Sequence, residues 1–117
     1  MVSRDLPVAV QRWQGGQHPS LSTIMRIMKQ EGLRPYMWSN LANHRYGIRS
    51  HNYDKILFVI DGSLEIHLPD SNSIVALRTG DRINIPAGVR HMTVVGATGA
   101  KCVEASMRRR DANRSIV

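Results

Sequence analysis

Residues 80–95, GDRINIPAGVRHMTVV, hold two strands and the sharp turn between them. Gly80-Asp81 supplies a turn into the first strand. Ile83 and Ile85 then alternate onto one face, as a strand with a single buried side requires. Pro86-Ala87-Gly88 reverses the chain, because proline fixes φ and glycine accepts a positive φ without steric cost. His91 opens the next strand.

The same grammar extends in both directions. Upstream, Asp61-Gly62 predicts a tight hairpin between strands at 55–60 and 63–68. Further strands are predicted at 34–39, 46–53, 74–77, 82–85, 91–95 and 101–106, with a turn at Pro69-Asp70-Ser71-Asn72. Strands this short must close on one another to protect their edges, which predicts an all-β barrel or jelly roll. One segment has a different period. Between residues 19 and 31, Leu21, Ile24, Met25, Ile27 and Met28 fall at helical spacing. Ser20 or Ser22 caps its start, Gly32 follows its end, and the methionines are expected to pack against a sheet. The predicted organisation is an N-terminal extension with one short α-helix at 1–33, a barrel at 34–107 and a basic polar tail at 108–117.

Composition limits the function classes. A chain of 117 residues that is 42% hydrophobic suits one domain with its own core. The single cysteine, Cys102, excludes an internal disulfide and is expected to be a buried small apolar residue. No apolar run reaches signal-peptide or membrane-span length, so a soluble, cytoplasmic protein with no membrane partner is expected. The net charge is +7, but much of the excess sits on Arg108, Arg109, Arg110 and Arg114. No basic stripe interleaves with aromatics, and a chain with one helical segment has no helix-turn-helix. Nucleic acid is therefore not an expected partner.

The 80–95 segment resembles the second motif of the cupin family, G-x5-P-x-G-x2-H-x3-N. Gly80, Pro86, Gly88 and His91 fit it, and Val95 replaces the final asparagine. The first motif, G-x5-H-x-H-x3-E-x6-G, falls on Asn43, Arg49, His51, Lys55 and Gly62, so only the second histidine and last glycine are kept. The resemblance implies a double-stranded β-helix, the jelly-roll cupin barrel. It also implies an inward-facing site where three histidines and a glutamate hold a divalent metal such as Zn, Ni, Mn or Fe. Here it leaves His51 and His91 as the metal ligands, with His44 or His67 as a possible third. Arg49 has no lone pair to give, and Lys55 could coordinate only after losing its proton.

A pocket of Arg49, His51, Lys55 and His91 suits an anion instead, since arginine grips a carboxylate or phosphate with paired hydrogen bonds. Lys55 is also the candidate catalytic amine. A structural alternative has Arg49 and Lys55 pairing with Asp54, Glu65 or Glu104. The functional expectation is a barrel binding a small anionic ligand. The alternative is a metal-dependent cupin enzyme, a dioxygenase or an isomerase or epimerase, using His51 and His91. Trp13 and Trp38 are expected by default to pack in the core; closing the barrel ends, with Trp38 lining the pocket, is the alternative. Family resemblance further implies a homodimer.

Overall fold

The apolar alternation that suggests many short strands folds as two long strands and several short ones. The computed structural model describes residues 8–108. In chain order these form β1 (Ala9–Gln11), α1 (Leu21–Gln30), β2 (Tyr36–Asn40), β3 (Asp54–Leu68), β4 (Ser73–Arg78), β5 (Arg82–Ile85) and β6 (Met92–Met107). Every pairing is antiparallel. The order is β1-β5-β3-β6-β2, with β4 added to β3. The all-β barrel with one short helix is therefore as expected. Beyond Arg108, the predicted basic tail lies outside the described residues.

Three local expectations are corrected. Asp61-Gly62 does not reverse the chain: Asp61 pairs with Lys101 and Gly62 with Ala100, so 55–60 and 63–68 are one strand. The ladder slips register there, between Val59 and Asp61 and again between Gly62 and Leu64. Gly62 has φ +83°, and a Cβ on it would lie 2.1 Å from the Gly99 carbonyl oxygen. The dipeptide's positive φ thus serves a bulge and a close strand approach rather than a turn. Likewise 91–95 and 101–106 merge into β6. The predicted strand at 46–53 is instead a loop holding one isolated bridge, Arg49 to His91, and a second, Arg45 to Val94, lies just before it. Finally, β1 in the N-terminal extension was not expected, and it adds to the sheet edge beside β5.

Alternation along the long strands sorts side chains into two cores. Leu57 and Val59 of β3, with Ile83, Ile85, Val95 and Cys102, fill the barrel interior. The intervening Ile56 and Phe58, with Val103 and Ala105, turn to the other face and meet Ile24 and Met28 of α1. The helix methionine packing is as expected. Ser20 is the N-cap, accepting from the Thr23 amide at 3.2 Å. Arg82 fastens the helix end: its guanidinium pairs with both Glu31 carboxylate oxygens and lies over the Phe58 ring. At the 80–81 turn, Asp81 accepts from the Arg78 amide and from Arg12, while Trp13 packs on Gly80.

Candidate functional site

At one end of the barrel the inward-facing positions change from apolar to polar. Lys55 precedes Leu57 and Val59 on the inner face of β3, and Glu104 follows Cys102 on that of β6. Leu57 pairs with Glu104, which places Lys55 diagonally across from the carboxylate. The Lys55 Nζ stands 3.4 Å from Glu104 Oε1, with both side chains about nine-tenths buried. Two further donors hold the same carboxylate. The Tyr36 hydroxyl donates to Oε2 at 2.6 Å, and the Trp38 indole N–H donates to Oε1 at 3.0 Å. Burial, reinforced by that hydrogen bond and the Glu104 charge, raises the Tyr36 phenol well above its ordinary value. It stays a donor.

The 45–51 loop brings the remaining groups. Arg49 and His91 exchange both backbone hydrogen bonds, at 3.0 and 2.9 Å, so their side chains emerge on one side. The Gly88 amide donates to the His51 carbonyl at 2.8 Å, tying the loop to the Pro86–Gly88 turn. The His51 ring stacks on Tyr53 at 4.7 Å and sits 5.3 Å from the His91 ring. Arg49 lies over the Tyr46 ring at 5.3 Å.

Arg49, His51, Lys55 and His91 thus line one cavity of about 300 Å³, together with Tyr36, Trp38, Tyr46, Tyr53, Thr93 and Glu104. Arg49 stands at its solvent-exposed side, while His91 is only 1% exposed. The His91 Nδ1 lies 3.0 Å from the Val89 carbonyl, which can only accept, so Nδ1 carries the proton. Nε2 is therefore a bare acceptor, buried and without a hydrogen-bond partner among the described residues. An unmade buried hydrogen bond costs about 1–3 kcal/mol, which makes this atom the least satisfied point of the site.

No protein-family model and no curated protein matches the chain in sequence. Solved structures do match in shape. A cupin-2 domain protein from Shewanella frigidimarina aligns at TM-score 0.56 and 21% identity, over 65% of this chain and 71% of that one. The polyketide cyclase RemF from Streptomyces resistomycificus aligns at 0.58 and 22%, over 63% of this chain and 54% of the cyclase. A DUF861 family protein from Thermotoga maritima aligns at 0.56 and 12%, over 84% and 97%. The fold is a cupin barrel.

Within this cupin barrel, the expected third metal ligands are corrected. His44 packs edge-on against Tyr46, and His67 pairs with Glu65 beside a separate depression near Ile48 and Ile74. Neither lines the cavity. Among the described residues, no group of three or more His, Cys, Asp or Glu side chains converges on a common point. Glu104 is inside, but both of its oxygens already accept from protein donors, and one faces the Lys55 ammonium. Two cationic side chains beside a dication would add repulsion of several kcal/mol at an effective dielectric of about 20. The residues present do not fit a resident divalent ion.

The aromatic walls were not foreseen, apart from Trp38. Their signal was available in part, because alternation along β2 puts Tyr36 and Trp38 on one face. Glu104 had been read only as a pairing partner. A lone carboxylate inside the apolar run around Cys102, Val103 and Ala105 marks it as an inward-facing polar group.

Both imidazoles are held neutral. Burial lowers the His91 pKa, opposed by its bond to Val89 and aided by the charges of Lys55, His51 and Arg49. Burial also lowers that of His51, aided by Lys55 and Arg49 and opposed by Glu104. The unfolded chain takes up protons below the ordinary histidine value of 6.5, whereas the native state resists them. Stability should therefore be level above about pH 7 and fall as pH drops from about 6.5 toward the depressed native values. Urea midpoints at about pH 7.5 and pH 5.5 will show the loss, and His91→Phe should make it smaller. An identical loss in the variant would contradict the assignment to His91.

Proposed function

We propose that this cupin barrel captures a small organic anion, with Arg49 as the group that receives it. The carrying observation is a surplus of positive charge. Lys55 is matched by Glu104, whereas among the described residues no carboxylate reaches Arg49. With both histidines neutral, the cavity retains one uncompensated cation. Its guanidinium face rests on Tyr46, which leaves the N–H edge to grip a carboxylate or phosphate. A cavity of about 150 Å³ accepts benzene, so about 300 Å³ accommodates a molecule of one to two rings. Lys55 serves mainly to place charge and to hold Glu104, since its ammonium is already engaged.

Arg49→Met keeps much of the side-chain length and removes the charge. Thermal melts against a panel of small carboxylates and phosphates should show ligand-dependent stabilisation, about 2.7 kcal/mol at a hundred times Kd. The variant should lose it. If no anion raises Tm, or the variant responds as the parent does, the anion reading is wrong.

A second reading, a metal-dependent cupin enzyme using His51 and His91, draws on the unpaired His91 Nε2. Metal analysis of the purified protein separates the two. The anion reading expects far less than one Zn, Ni, Mn or Fe per chain; a stoichiometric metal lost in His91→Ala would reverse the choice.

The same barrel is proposed to form a homodimer through β2. This strand ends the sheet, and Met37 and Leu41 are exposed there. Sedimentation equilibrium should give twice the 13.2 kDa chain mass, with Met37→Lys shifting it to the monomer. A monomeric parent protein would dismiss the pairing.

A further inference from the structure

We propose that the outer face of α1 is a docking surface for a short acidic segment of another protein, one that carries apolar anchors between its carboxylates. Ile24 and Met28 turn inward and are fully buried against the sheet. The residues left outside form two rows at i, i+4 spacing, Leu21, Met25 and Lys29 in one and Ser22, Arg26 and Gln30 in the next. A shallow, mainly apolar depression runs between the rows. One half of it is apolar, with Leu21 38% exposed beside Met25, and the other half is cationic through Arg26 and Lys29. This site is separate from the barrel cavity.

Charge decides what fits there. No residue of α1 is acidic, and Glu31, which follows it, gives both carboxylate oxygens to Arg82. Exposed Arg34 adds a third cation, and its neighbour Leu33 packs in the same cluster as Ile24 and Met28. Among the described residues, Arg26, Lys29 and Arg34 have no carboxylate partner, whereas Arg12, Arg82 and Arg90 each have one. Cations beside an apolar strip are complementary to carboxylates beside an apolar side chain. A second copy does not supply them: the chain carries a net +7, and Glu65, Asp70 and Asp81 already hold partners. A bilayer fits less well, because helices that lie on membranes present a broad apolar face, and α1 exposes only Leu21 and part of Met25. The surface is also set before a partner arrives. Ser20 caps the helix, Arg82 ties its end and the sheet holds its underside, so docking freezes little of this chain.

Fluorescence anisotropy of the full chain with a labelled peptide that sets glutamates and leucines at helical spacing tests this. The protein should bind it about tenfold or more tightly than a peptide with serine for leucine, and likewise than one with lysine for glutamate. Arg26→Glu with Lys29→Glu should weaken binding about tenfold or more. Arg45→Glu with Arg78→Glu changes the net charge equally, but these residues lie beside Val94 and Ser63, at the half of β3 away from Ile56 and Phe58. At physiological salt this control should leave affinity within about twofold, and Arg49→Met at the barrel cavity should do the same.

Failure of the glutamate–leucine peptide to bind overturns the docking site. Equal binding of the serine peptide, or an equal loss in either control variant, does so too, since it would mean only that an acidic chain seeks a basic protein. Sedimentation with phosphatidylserine vesicles that is abolished by Arg26→Glu with Lys29→Glu, while the peptide does not bind, would give this face to a membrane and overturn the proposal. The serine comparison uses the unaltered protein, so it decides even if a variant does not fold.

Discussion

Glu104→Ala should destabilise the fold by about 3–5 kcal/mol, the usual consequence of removing one member of a buried ion pair. The change strands more than a lysine. Lys55, the Tyr36 hydroxyl and the Trp38 indole all donate to this carboxylate, and all three lose their acceptor together. Lys55→Met alone should cost less, because Glu104 would keep two donors and regain part of what it loses from them. Combining Lys55→Met with Glu104→Gln should recover most of the loss, since the glutamine oxygen can accept from the Trp38 indole while its amide donates to the Tyr36 hydroxyl, which can also accept. Urea denaturation of the three variants reads these differences directly. A cost below about 1 kcal/mol for Glu104→Ala would mean that water reaches the pair freely.

A comparable loss, again about 3–5 kcal/mol, is expected for Gly62→Val. Two independent obstacles meet at this position. Its φ of +83° is one that a β-branched residue strongly avoids. A Cβ would also stand 2.1 Å from the Gly99 carbonyl oxygen, and backbone cannot swing aside as a side chain can. Gly88→Ala isolates the first obstacle. Gly88 has φ +84°, but nothing lies within 4 Å of its added Cβ, so the cost should be about 1–2 kcal/mol. Equal losses at the two positions in chemical denaturation would show that the strand contact at Gly62 relaxes.

The barrel was readable because its turns are chemically explicit. Gly80, Pro86, Gly88 and His91 fix the geometry of one segment, and strict alternation at Ile83 and Ile85 shows which face is buried. Strand boundaries were less readable. An Asp-Gly pair means positive φ, but a hairpin and a bulge use that conformation equally, and only the partner strand decides between them. Residues 46–53 look like a strand because Tyr46, Ile48 and Tyr53 suit one. In the folded chain a bridge at Arg49 and one at Arg45, just before them, hold the segment, and several of their side chains line the cavity wall.

Of the site, the convergence of Arg49, His51, Lys55 and His91 followed from motif spacing. The roles within that group did not. Whether Lys55 or Arg49 would be the paired cation depends on which strand lies beside β3, and the register that sets Leu57 against Glu104 is not a local property. The unpaired His91 nitrogen was invisible for the same reason, since it depends on where the Val89 carbonyl points after the turn.

The pairing of β3 with β6 also governs how the chain finds its fold. Leu68 meets Ser73 across a short turn, but His67 must find Met92, and Asp54 must find Met107. Contacts so distant in sequence offer little reward until large loops have closed, which places this barrel among slow folders. The β3–β4 hairpin is the natural nucleus, and pairing then spreads toward the ends of the two long strands. Lys55 and Glu104 lie at the far end of that progression, so the polar cavity is completed last.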